Sequence, residues 1–317
     1  MRYRHLGKSG LRVSEVSLGS WLTLGKSVDV PTTRVIVRRA FDLGIDLFDT
    51  ADVYARGAAE EALRQALDGL PRHQLVLATK AFFPMSERPN DRGLSRKHLV
   101  ESVEGSLRRL GTDYLDLHQC HRADPATPLD ETVRAYEDLI RQGKVLYWGT
   151  SEWKAEEIER ACLVADGHGA YRPVSNQPQY SILARRIERD VIPVCQREGL
   201  GQIVFSPLAQ GVLTGKYAGA LRPEGTRAAD PENGAFMQRF LDPDTLARVE
   251  RLRPVAADAG LSLAGLALAF CLREENVASV IVGATRAEHV DENVRASGIT
   301  LSPETVAAVN AVFPARA

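Results

Sequence analysis

Short apolar runs bounded by glycine or a polar residue recur along the chain, first in LRVSEVSLG at 11–19 and then in GIDLFDT at 44–50. Each predicts a buried strand that feeds a loop. Between them the period changes. TTRVIVRRAFDL at 32–43 is amphipathic with a threonine placed to cap it, and LSRKHLVESVEGSLRRL at 94–110 sets Leu99, Val103, Leu107 and Leu110 on one helical face. The runs LVLATK (75–80), YLDLHQC (114–120), KVLYWGTS (144–151), PVSNQ (173–177), GLGQIVFS (199–206) and VASVIVGAT (277–285) bring the strand candidates to eight, with helices drawn between them.

Repeated strand–helix units imply a parallel α/β sheet. Eight units spread evenly over about 300 residues favour closure into a (β/α)8 TIM barrel over an open sheet. No Pro/Ser linker divides 1–317, so one barrel domain is expected. The spacing breaks once, at 207–242, where many Gly and Pro and few apolar runs predict a long loop after the seventh strand; such loops are usually functional. Ahead of the first strand, YRHLGKSGLRV carries Gly7, Ser9 and Gly10 at a turn between apolar ends, which fits a short N-terminal β-hairpin closing the barrel floor.

Composition narrows the function. Hydrophobic residues at 44% and charged ones at 26% allow a sizeable core and argue against disorder. Forty basic against 41 acidic residues, a net charge of −1, give no polyanion-binding surface, so a small molecule is expected and nucleic acid is not. With no apolar run of 18 residues and no signal-like start in MRYRHLGKSG, the reading is cytoplasmic, without direct membrane insertion. Cys120, Cys162, Cys195 and Cys271 are far apart and read as reduced, buried thiols. His118 and His121, three apart in a strand, should point to opposite faces, so no metal site is expected.

Barrel active sites form where strands end at their C-terminal side. Asp49 ends the second strand, Tyr54 follows in the same loop, Lys80 ends the third and His121 follows the fourth. A buried Lys80 needs a counter-ion, which Asp49 supplies from the neighbouring strand. The Lys80 cation is expected to lower the Tyr54 pKa and make it a proton donor, with His121 bonding the substrate carbonyl. No G-x-G-x-x-G or G-x-x-x-x-G-K-[ST] occurs, so any dinucleotide is held elsewhere. FSPLAQGVLTGKY (205–217) and GATRAEHVDEN (283–293) combine glycines with cations; a helix starting near Thr285, beside Arg286, would offer free N–H groups to a phosphate, although Thr285 and Glu288 also read as a capping box.

The segments YRHLGKSGLRVS, LFDTADVY, GLSRKHLVESVEGSLRRL, LDETVRAYEDLIRQGKVLYWGTSEW, SPLAQGVLTGKY and GATRAEHVDEN occur here in order. With them the chain resembles, end to end, the aldo-keto reductases, above all the branch holding the β subunits of voltage-gated potassium channels and their bacterial relatives. The resemblance implies NADPH-dependent reduction of an aldehyde or ketone, with the tetrad carried by Asp49, Tyr54, Lys80 and His121 and Tyr54 as general acid. For the NADP(H) cofactor it implies contacts from Ser20, Trp21 and Asp49, from Ser151, Glu152 and Gln177, and an aromatic stack from Phe205. Ser151 and Gln177 would take the carboxamide. Ser206, Pro207, Leu208, Ala209, Gln210 and Gly211 would line the pyrophosphate, with Lys216 and Arg227 reaching over from the long loop. Gly283, Thr285, Arg286, His289, Glu292 and Asn293 would form the adenosine end, where cations favour NADPH over NADH.

Three positions depart from the pattern. The channel β subunits carry Asn where this chain has His121, which places it nearer the catalytically competent members. Glu152 stands where Arg or Asn is common, and His289 replaces a frequent Gln or Arg, which would weaken the 2′-phosphate preference or make it pH-dependent. Two other functions remain open: a cofactor-binding redox sensor for a membrane partner, with little turnover, and a Schiff-base isomerase or aldolase using Lys80. The substrate rim is expected from Trp21, Phe82, Phe83, Trp153 and the loop at 83–93, apolar enough to suit an aromatic or apolar carbonyl; a homo-oligomer is compatible with the channel-related branch.

Overall fold

In the computed structural model, which describes residues 1–217, 237 and 240–315, eight parallel strands close into a barrel. A hairpin of β1 (Tyr3–His5) and β2 (Arg12–Ser14) precedes them. The barrel strands are β3 (Val16–Gly19), β4 (Leu47–Asp49), β5 (Val76–Ala81), β6 (Leu115–Cys120), β7 (Val145–Ser151), β8 (Ser175–Gln177), β9 (Gly201–Phe205) and β10 (Val277–Val282), with β10 pairing both β9 and β3. Around them run α1 (Val30–Asp42), α2 (Ala58–Leu67), α3 (Arg96–Leu110), α4 (Leu129–Arg141), α5 (Ala155–Gly167), α6 (Val191–Glu198), α7 (Pro243–Glu250), α8 (Leu252–Asp258), α9 (Leu263–Leu272), α10 (Ala287–Asn293) and α11 (Pro303–Val312). The eight expected strands are those of the barrel, and the hairpin lies where the turn residues placed it.

Strand alternation divides the core. Val16, Phe48, Leu77, Leu115, Val145 and Val204 face outward onto helical residues such as Ile36, Leu63, Leu99, Val103 and Val133. Leu47, Val76, Ala78, Leu117 and Ile203 face inward and meet Leu6 and Val13 of the hairpin. The barrel floor is therefore apolar and plugged. Two residues further along the same strands the inward positions turn polar, at Asp49, Lys80 and Gln119, and this change of character marks the open end.

Helix ends differ from expectation in two places. Asp29, not a threonine, caps α1 by accepting from the Thr32 amide at 2.8 Å, and Pro31 presets the first turn so that the helix starts two residues early. Ahead of α10 the Thr285–Glu288 capping box is not formed: Arg286 is the capping residue without a side-chain bond, and the Thr285 hydroxyl lies 3.4 Å from His289 Nδ1. The four cysteines are buried and unpaired, and burial pushes the Cys120, Cys162 and Cys195 thiols up to about 12. Among the described residues no single helix is long and apolar enough to cross a membrane. The bent pair Pro243–Asp258 and Leu263–Leu272 passes that test only jointly, and the second helix is buried throughout as a barrel helix.

Gly7 ties the hairpin to the floor. Its φ is +60°, and a Cβ there would lie 2.2 Å from the Gly199 carbonyl oxygen and 2.6 Å from the Gly201 nitrogen, beside the Lys8 amide bond to that carbonyl. Gly7→Ala is therefore expected to lower the unfolding free energy by about 2 kcal/mol or more. Urea denaturation checks this; a loss within about 0.5 kcal/mol would contradict so close an approach.

Candidate active site

The polar layer at the open end centres on Lys80. Its side chain is fully buried, and Nζ donates to Asp49 Oδ1 at 2.6 Å and to the Thr50 carbonyl at 2.7 Å. The second Asp49 oxygen accepts from Gln177 Nε2 at 2.8 Å, so one carboxylate joins β4, β5 and β8. The Lys80 ammonium lies 5.1 Å from the Tyr54 ring centroid. The Tyr54 ring meets His121 edge-on at 5.6 Å, and Phe83 packs on the same imidazole at 4.9 Å. The four residues picked from strand ends do converge. His118 points the other way, its Nδ1 2.8 Å from the Tyr136 hydroxyl on α4.

Burial dominates the titration of this cluster. It raises the Tyr54 pKa above the ordinary tyrosine value, against the lowering effect of Lys80 and with Asp49 adding to the rise. The expectation that Lys80 would produce a net lowering is thus reversed, because desolvating a phenolate outweighs one nearby cation already paired with a carboxylate. Tyr54 stays protonated at neutral pH. Burial also works against the Lys80 charge, but Asp49 and Tyr54 hold its pKa above the usual lysine value. His121 is held well below 6.5 by burial and by the charges of Lys80 and Arg122, so its imidazole is neutral; Nδ1 is buried with no hydrogen-bond partner among the described residues.

The loops around this layer carry the backbone strain. All seven non-glycine residues with positive φ among those described, Leu22, Ala55, Arg56, Glu152, Ser206, Ala209 and Gln210, follow barrel strands at their C-terminal ends. Five of them, with Gly211, fall in two places that matter here. Ala55 and Arg56 follow Tyr54 directly, and the Tyr54 turn is laced to β5 through Thr50 N to Ala78 O at 2.8 Å and Asp52 N to Lys80 O at 3.1 Å. Ser206, Ala209, Gln210 and Gly211 turn left-handed within six residues after β9, the kind of alternating backbone that forms concave anion-binding nests.

A cationic cluster lies beyond that segment. The Gly211 α-carbon abuts the Lys216 side chain, and the His289 pKa is lowered by burial and then by the charges of Arg286 and Lys216. Lys216 and Arg286 therefore both lie within electrostatic range of His289. Gly283, Thr285, Arg286 and Glu292 are exposed there while Asn293 is buried. α10 has seven residues, so its dipole adds little and the side chains supply most of the charge. Arg227 lies outside the described residues.

Other expected contacts are engaged within the protein. Ser20 Oγ donates to Thr50 Oγ1 at 2.9 Å, and Ser151 Oγ to the Gln177 carbonyl at 2.9 Å. Glu152, at φ 58°, accepts the Gln179 amide at 2.5 Å, which directs its carboxylate to backbone. Trp21 is half-buried beside the left-handed Leu22, and Phe205, Ser206 and Leu208 are half-buried while Pro207 is buried. Trp153 is not on the rim: at 3% exposure it belongs to the core between strands and helices. Sequence reading missed Gln177 as a partner of Asp49, and it missed Gln119; two-residue periodicity from Leu117 would have found Gln119. A cavity of about 570 Å³ lined by Lys8, Trp148, Tyr171, Arg172 and Gly199 lies at the hairpin end, away from this cluster.

Comparison with known proteins follows the same outline. The model of the aldo/keto reductase family matches residues 15–313. A rice protein (Oryza sativa subsp. japonica) named "Probable voltage-gated potassium channel subunit beta" is 44% identical over 100% of this chain and 98% of its own length. An Arabidopsis thaliana protein of the same name is 44% identical over 93% of this chain and 91% of its own. A Schizosaccharomyces pombe protein with a name of the same kind is 41% identical over 98% and 93%.

The pairing of Lys80 with Asp49 has a measurable cost when broken. Lys80→Met leaves the Asp49 carboxylate buried without its cation and is expected to destabilise the fold by about 3–5 kcal/mol; Asp49→Leu in the same chain should restore most of that. Urea denaturation of the single and double variants decides it. Additive losses would show that the two side chains do not act as a pair.

Proposed function

The chain belongs to the aldo/keto reductase family, and from that premise we propose that it reduces aldehydes or ketones to alcohols with NADPH, using Tyr54 as general acid. The observation that carries this reading is the buried Lys80 ammonium, fixed by Asp49 and lying 5.1 Å from the ring centroid of Tyr54, whose phenol stands beside a neutral His121. The family is one of nicotinamide-dependent oxidoreductases; the choice of NADPH and the roles of single residues are the proposal.

In this reading His121, being neutral, donates an N–H to the carbonyl oxygen and orients it toward Tyr54. Tyr54 passes its proton to that oxygen as negative charge develops there. The phenolate so formed faces the Lys80 ammonium, which Asp49 and Gln177 hold in place beforehand, so the stabilising charge needs no reorganisation. The raised Tyr54 pKa keeps the donor loaded at neutral pH, at the cost of a weaker acid. When bound, NADPH supplies the hydride that reaches the carbonyl carbon.

The residues present suit that cofactor. Ser151 and Gln177 would hold the carboxamide, Phe205 the nicotinamide face, and the left-handed 206–211 segment the pyrophosphate. Lys216, Arg286 and His289 would receive the 2′-phosphate, which supports NADPH over NADH. The packing of Phe83 on His121, with Phe82 beside it, supports an aromatic or apolar carbonyl as substrate. We read 1–317 as a single domain acting in the cytoplasm; the family match across 15–313 supports the single domain.

The names of the rice and Arabidopsis relatives favour a second reading, a cofactor-binding redox sensor that serves a channel and turns over little. The two separate on one assay. With NADPH and an aromatic aldehyde the wild type should show steady loss of NADPH absorbance, and Tyr54→Phe should lower kcat by roughly 10²- to 10⁴-fold with cofactor affinity kept. Tight NADPH binding by a wild type without turnover would favour the sensor, and no binding at all would sink both. Fluorescence titration tests the cofactor choice: Arg286→Ala should weaken NADPH about tenfold and leave NADH binding nearly as it was.

A further inference from the structure

The turn that presents Tyr54 is anchored by a carboxyl group that the proposed reaction does not use. Asp52 lies between Asp49 and Tyr54 and is fully buried. Its backbone N–H donates to the Lys80 carbonyl at 3.1 Å, and its Oδ2 accepts from Ser102 Oγ of α3 at 2.7 Å. Oδ1 has no hydrogen-bond partner among the described residues.

A second buried carboxyl, Glu60 of α2, stands close by. It accepts from Thr79 Oγ1 at 2.6 Å and from Arg109 Nε of α3 at 2.5 Å. The other titratable groups around Asp52 are His98, one turn before Ser102 on α3, Tyr136 of α4, and Lys80 of β5, whose charge Asp49 already matches. Two buried carboxyls therefore share one guanidinium. An ionised Asp52 would add a buried negative charge that this guanidinium, already bonded to Glu60, does not match, so ionisation of Asp52 is disfavoured. Glu60 has the charge-assisted bond; Asp52 has a neutral donor and an open oxygen, and is the group that keeps the proton.

We propose that Asp52 is a positioning residue holding a proton beneath the Tyr54 turn, and that losing this proton weakens Tyr54 as an acid. The proposal rests on the reading of Tyr54 as proton donor. Burial, opposed by the Ser102 hydrogen bond and reinforced by Glu60, raises the Asp52 carboxyl to about 7. Below that pH the turn sits over a neutral acid. Above it, a buried negative charge two residues from Tyr54 disfavours the phenolate and reorients the Ser102 anchor. The folded protein also holds a proton that the unfolded chain, with an ordinary aspartate, has released between about pH 4 and 7. Stability should therefore fall across that window as pH rises, by an amount that Asp52→Asn removes.

Two measurements test this. Infrared spectroscopy should show the carbonyl band of a protonated carboxylic acid at about pH 5.5, lost on raising the pH through the neutral range and missing from Asp52→Asn. The wild-type kcat should fall roughly two- to tenfold across the same range, and the Asp52→Asn profile should lack that limb. Ser102→Ala, which removes the donor favouring the carboxylate, should move both the band and the limb to higher pH by about half a unit to one unit, and it carries the test if Asp52→Asn does not fold. Absence of the band, or an Asp52→Asn loss of kcat by the same factor at every pH, overturns the proton-holding role. A wild type that shows the band but no turnover overturns instead the reading of Tyr54, and with it the coupling.

Discussion

An ammonium group in a protein interior is tolerated only with a fixed counter-charge, and the open end of this barrel is organised around that requirement. Lys80 is held by Asp49 and the Thr50 carbonyl, and Asp49 is held in turn by Gln177. Three strands that are distant in sequence are thereby fixed at their C-terminal ends. Tyr54 and His121 stand beside the same centre, and burial there keeps the phenol protonated and the imidazole neutral. Without the pair, the strand ends would present a Lys and an Asp that each prefer solvent, and nothing would hold a phenol against a cation.

The opposite end of the barrel serves this arrangement by being apolar and closed. Leu6 and Val13 plug a floor of Leu47, Ala78, Leu117 and Ile203, so the polar layer above is built on a packed base rather than on a channel. Strain gathers at the other rim, where Ala55 and Arg56 follow Tyr54 and Ser206, Ala209 and Gln210 follow β9 in left-handed conformations. Such backbone persists where surrounding structure over-determines it. Here the lacing of the Tyr54 turn to β5 and the buried Asp52 anchor provide that constraint.

The eight strands and the meeting of Asp49, Tyr54, Lys80 and His121 at one rim were legible in the sequence because alternation and strand ends leave a simple one-dimensional trace: a Lys closing the apolar run LVLATK has little structural reason to be there. What was not legible depends on distance across the fold. Gln177 as a partner of Asp49, separated from it by 128 residues, leaves no local mark. Trp153 looked like a rim aromatic because it follows a strand, yet it packs into the core. The direction of the Tyr54 pKa shift is not legible either, because a cation can be inferred from sequence whereas the depth of burial cannot. The T-x-x-E capping box was a pattern match that the actual helix start did not use.

The central claim is that the Lys80 charge supports Tyr54 as a proton donor rather than serving the fold alone. Its most direct test is kcat for an aromatic aldehyde in Lys80→Met, measured below that variant's lowered melting transition, together with its affinity for NADPH. The account predicts a fall in kcat of roughly 10²-fold or more with affinity kept within about threefold, as expected for a charge that matters chiefly in the transition state. A Lys80→Met protein that folds, binds NADPH and turns over within a few-fold of wild type would contradict it.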